Sequence, residues 1–278
     1  MDRKAIFFDI DGTLAFPNQP VSPAVVRAIR TARSRGHLVF LGTGRTEKSV
    51  PKWVADIGFD GGIFSAGGRS VVNGRELSVR TMPMELVKAA MEVFRRRTGA
   101  AFVLECADGG FPGNVEGFSR NTQAEAGSST ELQRILLMLT EHPERTVEQW
   151  QGESVFKIVF FTRTGGEMDA LEGDLSGLGK VVRFDNLFPD ALMRAGEMSA
   201  PGIDKGKALR EICAACGVDV KDSIAFGDSM NDAEMLSAAG IGVAMGNAEP
   251  RVLALADRVC ETCQEDGVAR ELQRMGLC

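Results

Sequence analysis

Two aspartates, Asp9 and Asp11, are the first residues in the chain whose types and spacing suggest chemistry. They follow a short apolar run, Ala5 to Phe8, which is long enough for a buried strand and too short for a helix. Ligands of open α/β sheets bind beyond the carboxyl ends of the strands. Adjacent carboxylates repel each other, so their placement is costly unless a cation or a proton-transfer task requires it. For the Asp-X-Asp spacing alone, an Asx-turn with a helix cap is the plain alternative.

Two other predicted strands also end in polar groups. His37 to Leu41 is followed by Gly42-Thr43-Gly44-Arg45, and Ser223 to Phe226 is followed by Gly227-Asp228-Ser229-Met230-Asn231-Asp232. Lys205 opens a predicted helix. Several carboxylates, a hydroxyl beside a glycine amide and one lysine suit a phosphoryl group bridged by Mg²⁺.

This set of residues divides into two chemical roles. Carboxylates are the ligands that a hard cation such as Mg²⁺ prefers, and the candidates are Asp9, Asp11, Asp228 and Asp232. Hydroxyl, amide and ammonium groups can face phosphate oxygens, and the candidates are Thr43, the Gly44 amide and Lys205. Each residue alone has a plain structural reading, as a turn, a surface charge or a first-turn helix acid. Their joint occurrence at strand ends and helix starts favours one site.

The elements that must position these residues alternate between strand and helix, with short glycine-rich connections. This alternation predicts an α/β fold with a doubly wound, Rossmann-like parallel sheet. The pattern changes near Met84, where helices lead into a mostly antiparallel set of strands. We therefore predict a core domain of residues 1–83 and 190–278, and an inserted α+β domain of residues 84–189.

Several elements of this prediction can be tested individually. A helix should run from Ser22 to Arg35, with Ser22 as its N-cap and Pro23 in its first turn. Another should run from Glu47 to Ile57 despite Pro51. The sequence also predicts a helix over 130–141 in the inserted domain and a strand over 191–195. The glycine-rich segment 108–117 is predicted to be a loop that contacts the substrate.

Composition excludes several classes of protein. The chain has 278 residues, 44% hydrophobic and 25% charged, which is ordinary for a globular protein. Its net charge of −6 argues against nucleic acid or an anionic membrane as the main partner. No apolar run approaches the roughly 20 residues of a membrane span, and no signal-peptide pattern is present. We therefore expect a cytoplasmic protein with no membrane partner.

Six cysteines include two Cys-X-X-Cys pairs, Cys213/Cys216 and Cys260/Cys263. The separation between the pairs is much longer than the roughly 15 to 20 residues of a zinc ribbon. Leu209, Ile212, Cys213 and Cys216 also have the spacing of the buried stripe of one amphipathic helix. We therefore predict that these cysteines pack as small apolar side chains. A disulfide framework is not expected in a chain of this length without an export signal.

The motifs together resemble those of the haloacid dehalogenase superfamily of phosphotransferases. Phe8-Asp9-Ile10-Asp11-Gly12-Thr13-Leu14 is similar to its first motif, Thr43 to its second, Lys205 to its third and Gly227 to Asp232 to its fourth. Val243-Ala244-Met245-Gly246-Asn247-Ala248 and Glu265-Asp266-Gly267-Val268-Ala269 resemble the Cof-like (type IIB) branch in particular. That branch carries an α/β cap of type C2B between its second and third motifs. One departure is Ala66-Gly67-Gly68, where the branch often has Asn-Gly-Ala.

The resemblance implies specific roles for the matching residues. Asp9 would attack phosphorus and form an aspartyl-phosphate, and Asp11 would act first as a general acid and then as a general base. Asp9, the backbone carbonyl of Asp11 and Asp228 would ligate Mg²⁺, and Asp232 would support the metal through water. The phosphate would be held by Thr43, Lys205 and Asn231. The inserted cap would close over the site and read the leaving group.

The leading hypothesis is a Mg²⁺-dependent phosphatase of small phosphomonoesters, with sugar phosphates as the first choice of substrate. A phosphomutase or another phosphotransferase would use the same intermediate. A receiver-like phosphoacceptor or non-catalytic binding module belongs to a different class, although a receiver domain is far shorter than this chain. Histidine-based hydrolysis is disfavoured because neither His37 nor His142 follows a predicted strand. The expected partner is a small phosphorylated metabolite, and the expected state is a monomer or weak homo-oligomer.

Overall fold

The chain forms two compact units in the computed structural model, which describes residues 3–16, 19–115, 145–184 and 193–278. Unit 1 comprises Met1–Val79 and Ile203–Cys278, and unit 2 comprises Arg80–Gly202. Elements are numbered below over the described residues. Among these residues, no helix combines the length and the apolar character needed to cross a membrane.

Unit 1 is built on an eight-stranded sheet of order β13-β12-β11-β1-β2-β3-β4-β5. The strands are β1 (Ala5–Phe8), β2 (Leu38–Gly42), β3 (Gly61–Phe64), β4 (Arg69–Val72), β5 (Arg75–Val79), β11 (Ser223–Gly227), β12 (Ile241–Ala244) and β13 (Arg258–Val259). The strands from β13 to β3 pair in parallel, and β4 and β5 extend the sheet as an antiparallel hairpin. The predicted α/β fold with a parallel core sheet is confirmed.

Alternate residues of β1 pack on opposite faces of this sheet, as the period of a strand requires. Ile6 and Phe8 belong to one apolar cluster, whereas Ala5 and Phe7 belong to another. The helices of unit 1 are α1 (Pro23–Ser34), α2 (Lys52–Ala55), α5 (Lys205–Ala215), α6 (Ala233–Ala238), α7 (Pro250–Leu253) and α8 (Gly267–Arg274). Helices thus supply apolar residues to both clusters, which explains why the central strands are buried on both faces.

Helix α1 begins where the sequence predicts. The hydroxyl oxygen of Ser22, its N-cap, accepts a hydrogen bond from the Val25 N–H at 3.2 Å, and Pro23 occupies the first turn. The prediction of one helix over Glu47 to Ile57 is wrong. A 3₁₀ turn at Glu47–Ser49 is followed by the four-residue α2, and both Val50 and Pro51 have extended backbone angles. Proline disfavours a helical conformation in the residue before it, so the segment divides at that point.

Unit 2 contains a five-stranded antiparallel sheet of order β7-β6-β8-β10-β9. Its described elements are α3 (Met84–Arg96), β6 (Ala101–Cys106), β7 (Gly109–Gly113), β8 (Val155–Thr162), α4 (Gly165–Ser176), β9 (Lys180–Arg183) and β10 (Arg194–Ser199). Helix α3 packs on the sheet through Phe94, whose ring stacks on that of Phe102 at 4.4 Å between centroids. An α+β unit thus separates the two segments of unit 1 in the chain.

The predicted domain boundaries differ from the division seen in the structure. The return to unit 1 occurs at Ile203 rather than at residue 190, because β10 pairs with both β8 and β9 of the unit 2 sheet. The first boundary lies after Val79 rather than after residue 83, and the Met82 N–H donates to the Val155 carbonyl within unit 2. Backbone hydrogen bonds between residues far apart in the sequence therefore set both domain boundaries.

Three predictions within unit 2 have different outcomes. The segment 108–117 is not a loop throughout, since Gly109–Gly113 forms β7 and pairs with β6 in a hairpin. Its Phe111 side chain is buried, and residues 116–117 lie outside the described residues. The helix predicted over 130–141 also lies outside them, as do residues 191 and 192 of the strand predicted over 191–195.

Candidate active site

Lys205 brings together carboxylates that are far apart in the sequence. Its Nζ lies 2.9 Å from Oδ1 of Asp9, at the end of β1, and 2.6 Å from Oδ1 of Asp232, beyond the end of β11. The Asn231 side-chain oxygen is 3.4 Å from the same Nζ. Lys205 and Asp232 are fully buried, and Asp9 is 5% exposed. Adjacent parallel strands β1 and β11 therefore place the two acids at one edge, and the start of α5 delivers the cation.

Burial and charge compete at this cluster. Burial raises the pKa of Asp9 well above its ordinary value; the Lys205 ammonium opposes this shift, and Asp232 and Asp11 add to it. Burial likewise raises the pKa of Asp232, against the opposing effect of Lys205. Burial alone would lower the pKa of Lys205, but Asp232 and Asp9 outweigh it and raise the pKa overall. A carboxylate that is buried away from solvent therefore holds a proton or another cation more strongly than an exposed carboxylate does.

Asp232 and the loop after β11 hold each other in place. Oδ2 of Asp232 accepts hydrogen bonds from the backbone N–H groups of Asp228 at 3.1 Å and Ser229 at 3.3 Å. The Ser229 hydroxyl donates to the Asn231 side-chain oxygen at 2.9 Å. A Cβ on Gly227 would stand 2.7 Å from Oδ2 of Asp232, so the loop has room only for glycine there. This turn places the Asp228 carboxylate close to that of Asp9, which follows β1.

Three aspartates form a candidate metal centre. One carboxylate oxygen each from Asp9, Asp228 and Asp232 lies within 4.8 Å of the others, and all three side chains are buried. Buried carboxylate oxygens converging at this spacing suit a hard divalent cation such as Mg²⁺. The predicted Asp11 side chain is not part of this group, since its carboxylate pairs with Arg45.

The first motif, Phe8 to Leu14, contacts both a candidate metal ligand, Asp228, and Asn247. The Thr13 hydroxyl donates to Oδ1 of Asp228 at 3.4 Å. Gly12 has φ of +90°, and a Cβ there would come within 2.1 Å of Oδ2 of Asp228. The Asn247 side-chain amide donates to the Gly12 carbonyl at 2.8 Å, while its oxygen accepts from the Cys263 N–H at 2.8 Å. Asn247 thus ties the turn after β1 to the carboxyl-terminal part of the chain.

Thr43 and Gly44 follow β2 at the same edge of the sheet, where β2 pairs directly with β1. Thr43 is fully buried, and its hydroxyl oxygen accepts a hydrogen bond from the Arg45 N–H at 3.1 Å. Gly44 is buried as well. The structure therefore places both predicted phosphate-binding residues at the edge that carries Asp9.

Arg45 is the main site residue that the sequence reasoning missed. It donates from Nε and Nη2 to the two oxygens of Asp11, both at 2.7 Å. It lies inside the Gly42-Thr43-Gly44-Arg45 segment that follows a predicted strand, and this position is a usable sequence signal. Its partner could not be inferred, because 34 residues separate the two along the chain.

His37, Cys213 and Cys260 are not among the residues of this aspartate cluster. His37 precedes β2 at the amino end of the sheet, and His142 lies outside the described residues. Cys213 is buried in one apolar cluster and Cys260 in the other, on opposite faces of the unit 1 sheet. The two Cys-X-X-Cys pairs therefore cannot converge on one metal ion.

A parallel α/β sheet whose carboxyl edge gathers three aspartates and a buried lysine suits the binding of a phosphoryl group beside a divalent cation. Comparison with known proteins supplies the particular family. The model of the haloacid dehalogenase-like hydrolases matches residues 6–272, and the chain belongs to this family. The resemblance to the Cof-like IIB phosphatases is confirmed, and the protein is a phosphoric monoester hydrolase.

Relatives of similar length carry several different substrate names. The phosphoglycolate phosphatase of Methanopyrus kandleri is 28% identical over 97% of this chain and 96% of its own length. The 5-amino-6-(5-phospho-D-ribitylamino)uracil phosphatase YcsE of Bacillus subtilis is 26% identical over 100% of this chain and 97% of its own. The solved HAD subclass IIB sugar phosphatase BT4131 superposes with a TM-score of 0.77 at 25% identity, covering 99% of this chain and 100% of that chain.

Proposed function

We propose that this phosphatase is Mg²⁺-dependent and hydrolyses small phosphomonoesters, sugar phosphates first among them, through an aspartyl-phosphate on Asp9. The observation that carries the proposal is the Lys205 Nζ bridging Asp9 and Asp232 in a fully buried cluster. A nucleophilic carboxylate, a metal-binding carboxylate set and a cation for phosphate oxygens then meet at one point. The similarity to a sugar phosphatase over the whole chain supports the substrate class.

Each residue has a stated role in the proposed reaction. An oxygen of Asp9 attacks phosphorus in line, and the bond from phosphorus to the leaving oxygen breaks. Asp11 gives a proton to that oxygen and later takes one from the water that hydrolyses the phosphoenzyme. Lys205, Asn231, Thr43 and the Gly44 amide hold phosphate oxygens. Asp9, Asp228 and the Asp11 backbone carbonyl would hold Mg²⁺, and Asp232 would support the ion through water. A bound ion would neutralise phosphate charge.

Trapping the phosphoenzyme tests this proposal directly. The protein is mixed rapidly with a sugar phosphate and Mg²⁺, quenched in acid and digested, and the peptides are analysed by mass spectrometry. We expect a phosphoryl adduct on the peptide that contains Asp9, together with release of inorganic phosphate at steady state. Phosphate on Ser229 or Thr43 instead would contradict the assignment, and an adduct without phosphate release would favour a phosphomutase. The partner is proposed to be a small phosphorylated metabolite in the cytoplasm.

A further inference from the structure

Residues 65–67 form a left-handed turn directly after β3. Ser65, Ala66 and Gly67 have φ angles of +48°, +55° and +106°. Glycine adopts such angles easily and asparagine less so, whereas serine and alanine rarely do, so the turn is strained at Ser65 and Ala66. Ala66 is also where the sequence departs from the Asn-Gly-Ala that the Cof-like branch often has. Strained backbone persists only where the surrounding structure requires it, and it is common at functional sites.

The left-handed turn is bonded to the segment that follows β2. The Ala66 N–H donates to the Thr43 carbonyl at 3.1 Å, and the Ser65 N–H donates to the Arg45 carbonyl at 2.8 Å. The Thr43 N–H donates in turn to the carbonyl of Ile63 in β3 at 2.9 Å. Both backbone polar groups of Thr43 are therefore held by β3 and the turn that follows it.

Gly67, at the other end of the turn, lies against the residue that precedes Lys205. A Cβ on Gly67 would stand 2.4 Å from the Asp204 carbonyl oxygen and 2.9 Å from the Asp204 nitrogen. Rotation of a side chain cannot relieve such contacts with backbone atoms, so the turn or Asp204 would have to move. Asp204 is the N-cap of α5, and its Oδ1 accepts from the Lys207 N–H at 2.7 Å. Because Lys205 is the first residue of that helix, a shift of Asp204 would displace Lys205 as well.

No side-chain hydrogen bond offsets the strain of the turn within the part of the chain that the structure describes. Ser65 is 1% exposed, and its Oγ is buried without a hydrogen-bond partner. Ala66 is buried as well and has no polar side-chain atom. The left-handed conformation is therefore maintained by the backbone contacts with Thr43, Arg45 and Asp204.

We propose that this left-handed turn is a positioning element of the phosphate site, which sets the place of Thr43 relative to that of Lys205. Ala66 acts on Thr43 through its backbone N–H, and Gly67 acts on Lys205 through its close contact with Asp204. The chemical consequence rests on the proposed function, in which Thr43 and Lys205 hold oxygens of one phosphate group.

Gly67→Ala tests the contact with Asp204, and Gly74→Ala is its matched control. Gly74 also has a positive φ, of +72°, but it is exposed and a Cβ there would meet nothing within 4 Å. Calorimetric titration with inorganic phosphate, in the presence of Mg²⁺, gives the dissociation constant of each variant that circular dichroism shows to be folded. We expect Gly67→Ala to bind phosphate about tenfold or more weakly, because the displaced lysine loses a charge-assisted hydrogen bond. Both variants should melt at a lower temperature, but Gly74→Ala should keep the wild-type affinity.

A second pair of variants tests the turn without that clash, and it decides the matter if Gly67→Ala does not fold. Asparagine adopts left-handed angles more readily than β-branched valine does. Ala66→Asn should therefore keep the wild-type affinity for phosphate, and Ala66→Val should weaken it by about threefold or more. Equal affinities in these two variants, or a Gly67→Ala variant that binds phosphate as tightly as a phosphate-binding wild type, would overturn the proposal.

Crystal structures of the two glycine variants give a measurement that needs neither phosphate binding nor turnover. We expect Lys205 Nζ to lie farther from Oδ1 of Asp9 than its present 2.9 Å in Gly67→Ala, and to keep that distance in Gly74→Ala. An unmoved Lys205 in Gly67→Ala would contradict the role of the turn, even in an active phosphatase. A displaced Lys205, in a protein whose wild type neither binds phosphate nor hydrolyses sugar phosphates, would support that role and contradict the proposed function instead.

Discussion

Arg45 and Asp11 form a bidentate ion pair, with Nε 2.7 Å from Oδ2 and Nη2 2.7 Å from Oδ1. Both side chains are largely buried, at 14% and 4% exposure. Because both carboxylate oxygens accept hydrogen bonds from one planar guanidinium, the pair fixes the orientation of the Asp11 carboxylate. In the proposed reaction Asp11 is the general acid, so we infer that Arg45 is a positioning residue for that acid.

Replacing Arg45 by lysine keeps the charge and removes the planar fork that holds both oxygens. We expect kcat for an alkyl phosphate to fall by roughly ten- to a hundredfold, a fraction of the ~10² to 10⁴ that acid–base catalysis supplies. Hydrolysis of p-nitrophenyl phosphate should fall less, because its leaving group needs no proton. Arg69→Lys is a control, since Arg69 pairs with partly exposed Glu47 and Glu76. Equal losses on both esters would show that Arg45 acts only structurally.

Substitution of Asp9 and substitution of Asp11 should affect phosphoenzyme formation and turnover differently. Asp9→Asn removes the proposed nucleophile and should abolish both phosphoenzyme and turnover. Asp11→Asn keeps the nucleophile and should lower kcat by about 10² to 10⁴, with the smallest loss on an ester whose leaving group needs no proton. Acid-quench mass analysis and steady-state phosphate release measure the two quantities. Substantial turnover by the Asp9→Asn variant would show that Asp9 is not the nucleophile.

Removal of the metal should abolish turnover, because Asp9, Asp228 and Asp232 crowd three buried carboxylates around one point. Mg²⁺ should restore activity after chelation, whereas Ca²⁺ should restore it poorly, since it prefers six to eight longer contacts. Mg²⁺ should also raise the midpoint of thermal unfolding, because it binds the folded cluster. Activity assays and melting curves with and without EDTA make the measurement. An enzyme fully active in excess EDTA would contradict the proposed metal dependence.

Cys213 should behave as a packed apolar side chain. It is fully buried beside Leu209 and Ile212, and burial raises the pKa of its thiol to about 11. Cys213→Ala should lower the free energy of unfolding by about 1 to 2 kcal/mol, less than the ~2 to 5 kcal/mol expected of Leu209→Ala. Urea unfolding compares the two variants, and elemental analysis should find zinc below one equivalent. One tightly held zinc that is lost with Cys213 would overturn the packing interpretation.

The sequence by itself determined the polar residue types of the candidate site and the strand ends that carry them. Apolar runs such as Ala5 to Phe8 are too short for helices, and the polar residues that follow them must emerge at a sheet edge. Parallel pairing then places those strand ends together, which is why the sequence alone predicts that Asp9, Lys205 and Asp232 share one site. Local signals also placed α1, since capping by Ser22 depends on neighbouring residues alone.

Only the tertiary structure decided the features that depend on partners far along the chain. The boundary at Ile203 follows from the pairing of β10 with β8, and the strand character of Gly109–Gly113 follows from its pairing with β6. A glycine-rich segment has weak intrinsic strand preference, so its neighbour supplies the deciding hydrogen bonds. The Arg45–Asp11 pair arises in the same way, because side chains from separate elements meet only after the sheet has formed.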